Sequence, residues 1–373
     1  MTRSADISTA LVAYLGYKRA DVPQSDWRAV VDSIGMARAE AVEWALLDVL
    51  YQLREIKPDW RAHSLWSGSE WVVRELRKRY PDLDDKAAKA LTWAFSCEQE
   101  LTVGATLLSA AQKLGGVSDT PRLDAELLMA HALGVERGSL LLDPTRFAVP
   151  GGFAVLVERR LAHEPVAYIV GHRDFWTIRI GVGPGVLIPR PDSETLIEAA
   201  VDHFGRAGPK RILDLGTGPG TLLFAALSEW LDARGVGVDA SDAALDYAKA
   251  NARALGIEER TKLLLGDWTT GIDGPFDLIL CNPPYIAESE ALMPDVADHE
   301  PPVALFAGGD GLDDYRRIIP DLPRLLAPGG VAILEIGHTQ HMSVRELAET
   351  AGFKVACRQD LGGRDRALLL TRA

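Results

Sequence analysis

The chain has 373 residues, room for two or three domains. Its formal net charge of −13 at pH 7 argues against general binding to a nucleic-acid backbone. The three cysteines, Cys97, Cys281 and Cys357, are too scattered for a disulfide framework or a zinc site. No apolar run is long enough to span a membrane, and Met1-Thr2-Arg3-Ser4-Ala5-Asp6 lacks the apolar core of a signal peptide. The expectation is a cytoplasmic chain without a metal or a membrane partner.

Residues 1 to about 98 read as helical. Met36 to Ile56 and Ser69 to Tyr80 alternate apolar and charged residues at helical period, and Asp84 or Asp85 can cap a third stretch toward Phe95. Six of the nine tryptophans, Trp27, Trp44, Trp60, Trp66, Trp71 and Trp93, fall here and are expected to fill the core of a small helical unit. Helices continue from Leu101 to about Phe147, with Pro121 opening one run and Gly134 ending it, and again from Phe153 to Ala162. Val166 to Val182 turns to β-branched and aromatic residues, which predicts a hairpin. The division expected is 1–98, 99–175 and 176–373.

From Arg211 the pattern alternates. Strands are predicted at Arg211–Leu215, Gly235–Val238, Lys262–Leu265, Phe276–Leu280 and Val331–Ile336. Helices are predicted at Leu222–Trp230, Ala243–Leu255, Tyr315–Leu326 and His341–Ala351. Almost wholly apolar strands alternating with helices predict an α/β fold, a Rossmann-like doubly wound sheet with ligands at the strands' carboxyl ends.

The first strand runs into Gly216-Thr217-Gly218-Pro219-Gly220, a loop that permits a tight turn and close approach of a ligand. A phosphate-binding loop would need Gly-Lys-Ser/Thr, and the dinucleotide fingerprint would need glycine where Thr221 stands. The G-x-G-x-G spacing after Asp214 points instead to S-adenosylmethionine. Asp239 closes the second strand, where an acid meets ribose hydroxyls. Asp267 could accept from an adenine amino group, and Trp268 could cover the ring. Singly, each acid could equally cap a helix and Trp268 could be core; in order, at successive strand ends, they form one adenosine-cofactor site.

The strand Asp277–Cys281 ends in Asn282-Pro283-Pro284-Tyr285. Two prolines donate no N–H and stiffen the turn. The Asn282 side-chain carbonyl and the Pro283 carbonyl can accept the two hydrogens of a planar NH₂, with Tyr285 against its flat face. That turns the nitrogen lone pair toward a methyl donor. The same turn could also do no more than end a buried strand. An adenine base and a glutamine side chain present the same NH₂, and the tetrapeptide alone does not separate them.

Several ordered stretches resemble the bacterial peptide chain release factor glutamine methyltransferases. They are Pro121-Arg122-Leu123-Asp124-Ala125-Glu126-Leu127-Leu128, Glu164-Pro165-Val166-Ala167-Tyr168-Ile169-Val170-Gly171, and Leu187-Ile188-Pro189-Arg190-Pro191-Asp192. Leu213-Asp214-Leu215-Gly216-Thr217-Gly218, the Asn-Pro-Pro-Tyr turn, Glu300-Pro301 before Gly308-Gly309-Asp310-Gly311-Leu312, and Asp360-Leu361-Gly362-Gly363-Arg364-Asp365-Arg366 complete the set. The resemblance runs from about Leu101 to the C-terminus and implies N5-methylation of the glutamine in the Gly-Gly-Gln loop of class 1 release factors. It also implies a helical release-factor-docking domain before the catalytic one. Carried over by position, the cofactor site is Gly216 to Gly220, Asp239, Trp268 and Asn282, and the substrate glutamine lies against Asn282 to Tyr285. Ser193 stands where the family usually has threonine, keeping the hydroxyl. Relatives that modify a ribosomal-protein glutamine, and adenine N6-methyltransferases acting on nucleic acid, are the alternatives. The acidic chain disfavours the latter. A monomer is expected, and residues 1–98 are not recognised as a member of any family.

Overall fold

The computed structural model describes residues 3–20, 23–59, 62–63, 65–100 and 102–372, so Met1, Thr2, Trp60 and Leu101 lie outside the described residues. The chain divides by its contacts into two units, residues 1–162 and 163–373. Among the described residues no helix is long and apolar enough to cross a membrane.

The first unit is helical. It begins with α1 (Arg3–Leu15), α2 (Trp27–Ile34), α3 (Met36–Glu55), α4 (Leu65–Arg79) and α5 (Asp85–Glu100). Local chemistry sets the ends: Asp26 accepts from the Ala29 N–H at 2.9 Å, and Asp84 from the Ala87 N–H at 2.7 Å. Along α3 the residues Ala39, Val42, Leu46, Val49 and Leu53 recur at helical spacing and are buried. They join one core drawn from residues between Ala10 and Phe95. Each fully buried aliphatic side chain there contributes about 1.5–3 kcal/mol. The tryptophans divide. Trp27, Trp71 and Trp93 pack against this core, but Trp44 is 83% exposed and Trp66 59%. The expectation of a wholly tryptophan-filled core is therefore corrected: Trp44 falls on the solvent face of α3, opposite the buried stripe. Four more helices complete the unit: α6 (Val103–Leu114), α7 (Pro121–Leu133), α8 (Arg137–Leu142) and α9 (Phe153–Leu161). Pro121 opens α7 and Gly134 closes it in the left-handed region.

The second unit starts with α10 (Val166–Val170) and the hairpin β1 (His172–Phe175) and β2 (Ile178–Gly181). The predicted hairpin thus begins later than Val166. Pro165 starts a helical turn and Gly171, at φ +83°, ends it, overriding the β-branched composition. The hairpin packs on α12 and α13 introduced below, which places it with this unit. There follow α11 (Glu194–Phe204), β3 (Arg211–Leu215), α12 (Thr221–Glu229), β4 (Arg234–Asp239), α13 (Asp242–Leu255), β5 (Thr261–Leu265) and β6 (Phe276–Cys281). The chain closes with α14 (Pro294–Ala297), α15 (Asp313–Ile318), α16 (Leu322–Leu325), β7 (Leu326–Glu335), α17 (His341–Thr350), β8 (Phe353–Gln359) and β9 (Asp365–Arg372).

The seven-stranded sheet has the order β5-β4-β3-β6-β7-β9-β8, parallel except for β9, which is antiparallel to both neighbours. Successive residues point to opposite faces. Ile212, Leu278, Leu280 and Ile333 meet α11, α12 and α13 on one face. Leu213, Leu215, Ile279 and Leu334 meet α15, α16 and α17 on the other. Both faces are covered, which is why these strands read as apolar throughout. Two elements differ from expectation. Tyr315–Leu326 is not one helix, because Pro320 and Pro323 break it into α15, a 3₁₀ turn and α16, and Leu326 already belongs to β7. The closing strands β8 and β9 were not foreseen.

Candidate active site

Strands β3 and β6 are parallel neighbours, with Leu215 opposite Cys281. The next residues, Gly216 and Asn282, therefore leave the sheet side by side. Strands β4 and β5 lie on one side of this pair and β7 on the other, so this is the topological switch point, where open α/β sheets bind ligands.

The glycine loop is held from behind. Gly216, Gly218 and Gly220 have φ of +68°, +55° and +90°. At Gly220 a Cβ would come within 2.0 Å of the Phe224 ring, so only glycine fits. The Gly218 N–H donates to Asp239 Oδ2 at 2.8 Å, and Asp239 Oδ1 accepts from the Ser241 N–H at 2.9 Å. Thr217 turns inward: its hydroxyl donates to Asp214 Oδ2 at 2.7 Å, which also accepts the Leu223 N–H at 3.2 Å. Asp214 is buried, its Oδ1 makes no hydrogen bond among the described residues, and burial pushes its carboxyl up to about 7 against those two bonds. The Pro219 carbonyl accepts from Asn251 Nδ2 at 2.8 Å, and the same buried amide pairs with the Gly181 backbone, joining the hairpin to the loop.

A cleft of about 550 Å³ opens in front of the loop, a size typical of small-molecule sites. Of the residues expected from sequence, Gly216, Gly218, Asp239, Asp267, Trp268, Asn282 and Pro284 line it. Thr217, Pro219, Gly220, Pro283 and Tyr285 are not among the residues that line it; hydrogen bonds tie Thr217, Pro219 and Tyr285 in behind it. Asp314 and Arg317, which the sequence did not signal, also line the cleft. Arg317 pairs with Asp267 at 2.5 Å, and Asp314 accepts the Trp268 indole N–H at 3.0 Å. Burial raises the Asp314 carboxyl above its ordinary value.

At the Asn-Pro-Pro-Tyr turn the Asn282 Nδ2 donates to the Ser193 hydroxyl at 3.3 Å, and its Oδ1 has no hydrogen bond among the described residues. The Tyr285 hydroxyl donates to Glu335 Oε1 at 3.2 Å, and the Tyr285 carbonyl accepts from Gln340 Nε2 at 2.9 Å. Burial raises the Tyr285 hydroxyl, and with it the Cys281 thiol, so both stay protonated.

Other motifs of the second unit buttress this cleft. The Tyr168 hydroxyl donates to the Val186 carbonyl at 2.5 Å, fixing a cleft-lining loop. Glu300, buried, accepts the Ile188 N–H at 3.0 Å and pairs with Arg190 at 2.5 Å. Arg366, also buried, reaches Asp192 at 3.3 Å and Asp360 at 3.2 Å. Asn251, Glu335, Asp314 and Arg317 had no place in the sequence reading, and Ser193 entered it only as a departure from the family's threonine that keeps the hydroxyl. Glu335 alone carried a signal, as a single acid ending an apolar strand. Elsewhere, His341, Cys357 and Asp365 bring three possible metal-ligand atoms within 4.8 Å of one another, a grouping invisible to cysteine spacing. Hydrogen bonds of 2.8 Å from His341 Nδ1 and 3.0 Å from Gln359 Nε2 to Asp365 account for that cluster.

A glycine-rich loop and an Asn-Pro-Pro-Tyr turn at the switch point define an α/β methyltransferase, and residues 208–357 match the family described as a methyltransferase domain. Residues 105–171 match the PrmC N-terminal domain. The chain is 44% identical to the release factor glutamine methyltransferase of Rhodospirillum rubrum, over 70% of this chain and 81% of that protein. It is 42% identical to that of Caulobacter vibrioides, over 67% and 89%, and 38% identical to that of Nitratidesulfovibrio vulgaris, over 73% and 95%. The chain belongs to the release factor glutamine methyltransferase family. Neither family match includes the helical core between Ala10 and Phe95.

Proposed function

We propose that the chain methylates the side-chain amide nitrogen, N5, of the glutamine in the Gly-Gly-Gln motif of class 1 peptide chain release factors, using S-adenosylmethionine. The observation that carries this reading is Asn282: its Nδ2 is tied to Ser193, leaving Oδ1 as a free acceptor on the cleft wall beside the glycine loop.

The cleft suits that cofactor. Open space in front of Gly218 leaves room for the aminoacyl end. Asp239 keeps unused lone pairs for ribose hydroxyls, Trp268 offers an aromatic face for adenine, and Asp267 an acceptor for its amino group. When bound, S-adenosylmethionine supplies an electrophilic sulfonium methyl.

The chain's own groups do the positioning. Asn282 Oδ1 and the Pro283 carbonyl accept the two amide hydrogens of the substrate glutamine, aiming its lone pair away from the turn. An amide lone pair is delocalised, so holding the NH₂ in a partly pyramidal geometry favours the transition state more than the ground state. No strong base is required, because the N–H becomes acidic as the new C–N bond forms and its proton leaves to water. The helices between Val103 and Leu161 are the candidate docking surface for the release factor.

The test is methyl transfer from labelled S-adenosylmethionine, with a class 1 release factor, a ribosomal-protein fraction and an adenine-rich duplex offered side by side. Label mapped to the Gly-Gly-Gln glutamine is the expected result. Label on adenine or on a ribosomal protein alone overturns the reading.

A further inference from the structure

Glu335 is a buried acid to which the proposed reaction gives no task. It ends β7, is 1% exposed, and faces the back of the Asn-Pro-Pro-Tyr turn. Its Oε1 accepts the Tyr285 hydroxyl at 3.2 Å. Its Oε2 is buried and makes no hydrogen bond among the described residues. The Ser193 hydroxyl lies close enough to hold this carboxyl down, and the buried Oε2 is an acceptor still open to its proton. Ser193 is itself 3% exposed and accepts Asn282 Nδ2, so its single proton needs an acceptor.

These facts compose one chain. If Ser193 donates to Glu335, its oxygen can only accept from Asn282, and it accepts from Nδ2. An asparagine amide has two near-isosteric orientations, and its neighbours decide between them. A hydroxyl committed to a carboxylate selects the orientation with Nδ2 inward and Oδ1 toward the cleft. The opposite orientation would offer the substrate NH₂ another NH₂.

We propose that Glu335 and Ser193 are positioning residues that set the orientation of the Asn282 amide and, through Tyr285, brace the far end of the same turn. The proposal rests on the reading of Asn282 as the amide clamp and deepens it. Neither residue touches substrate; both act through Asn282 and Tyr285.

The charge state of Glu335 matters, because a protonated carboxyl no longer accepts from both hydroxyls with full strength. Burial pushes it up to about 7, opposed by the Ser193 hydroxyl, the Arg366 charge and the Tyr285 hydroxyl, with Asp192 raising it further. The groups facing it come from several elements: Tyr285 and Cys281 around the turn, Tyr315 on α15, Arg366 on β9 and Asp192 before α11. Tyr285, Cys281 and Tyr315 are all held protonated by burial, and Arg366 is paired with Asp360 and Asp192. Glu335 is thus the group expected to titrate near neutrality in this cluster.

The experiment uses the full chain with a class 1 release factor and measures kcat, KM and cofactor Kd from pH 6 to 8.5. It compares wild type, Ser193→Ala, Ser193→Thr, Glu335→Gln and Asn282→Ala. Ser193→Ala is expected to lower kcat by about tenfold to a hundredfold at unchanged cofactor Kd. Ser193→Thr keeps the hydroxyl and is expected to restore kcat. Wild-type kcat should fall on the acid side of about pH 7, and Glu335→Gln should remove that limb. Equal kcat in wild type and Ser193→Ala, with Asn282→Ala dead, overturns the positioning role while leaving the clamp intact. An unchanged acid limb in Glu335→Gln overturns the assignment to Glu335. A wild-type chain that leaves the release factor unlabelled overturns the clamp reading and this proposal with it.

Discussion

The Gly218 N–H donates to Asp239 Oδ2 at 2.8 Å, tying the loop after β3 to the end of β4. One carboxylate thus shapes the glycine loop and faces the cleft. Asp239→Ala is expected to weaken S-adenosylmethionine binding by about tenfold to a hundredfold, through lost ribose contacts and a loosened loop. Titration calorimetry checks this, and an unchanged dissociation constant removes Asp239 from the site.

Asn282→Ala should abolish transfer while largely sparing the cofactor, since Asp239, Trp268 and the loop remain. Removing one preorganised transition-state contact costs about a hundredfold or more in kcat. Single-turnover assays with saturating cofactor read this directly. Near-normal turnover would exclude the NH₂ clamp.

Gly220→Ala is expected to destabilise the second unit on the order of 3 kcal/mol. It combines a φ of +90° with a Cβ that would lie 2.0 Å from the Phe224 ring. The ring is buried in the core and cannot retreat freely. A fall in melting temperature measures it.

Asp214 makes a prediction about pH. Burial raises its carboxyl from 3.8 to about 7, so the folded state holds its proton where the unfolded chain has lost it. The folded form then binds more protons, and stability falls as pH rises from about 4 to about 7, on the order of 4 kcal/mol for this group. Asp214→Asn cannot ionise. Its stability relative to wild type should therefore be better at pH 8 than at pH 5, as thermal unfolding at the two values would show. An equal difference at both would mean that the buried acid is not shifted.

The helices between Arg3 and Glu100 carry their own core, drawn from residues between Ala10 and Phe95. Deleting residues 1–98 should leave a folded chain that still methylates the release factor. Loss of cooperative unfolding or of turnover in the truncated chain would assign this segment a necessary role.

Much of the fold was legible because its signals are local. Apolar strands such as Asp277–Cys281, the proline opening α7 and the glycines after β3 each follow from what a few neighbouring residues can do sterically. The chemistry of the turn was equally local: Asn-Pro-Pro-Tyr presents acceptors wherever it is placed. What local reading missed was competition among neighbours. Val166–Val170 has strand composition but lies between Pro165 and Gly171, and those two residues decide it. The edge strand β8 alternates buried and exposed residues only in part, so its period was weak before β9 supplied a partner.

By itself, the sequence determined the class of fold, the glycine loop and the Asn-Pro-Pro-Tyr turn, because backbone sterics and side-chain chemistry act over short spans. Only the tertiary structure decided how those parts are held. Ser193 meets Asn282 across 89 positions, Arg190 meets Glu300 across 110, and Arg366 reaches back to Asp192. Such pairs leave no periodic or spacing signal, since the sheet order, not chain distance, brings them together. A buried acid such as Glu335 acquires its raised pKa and its Tyr285 hydroxyl partner only when β7, the turn after β6 and the segment before α11 are packed around it.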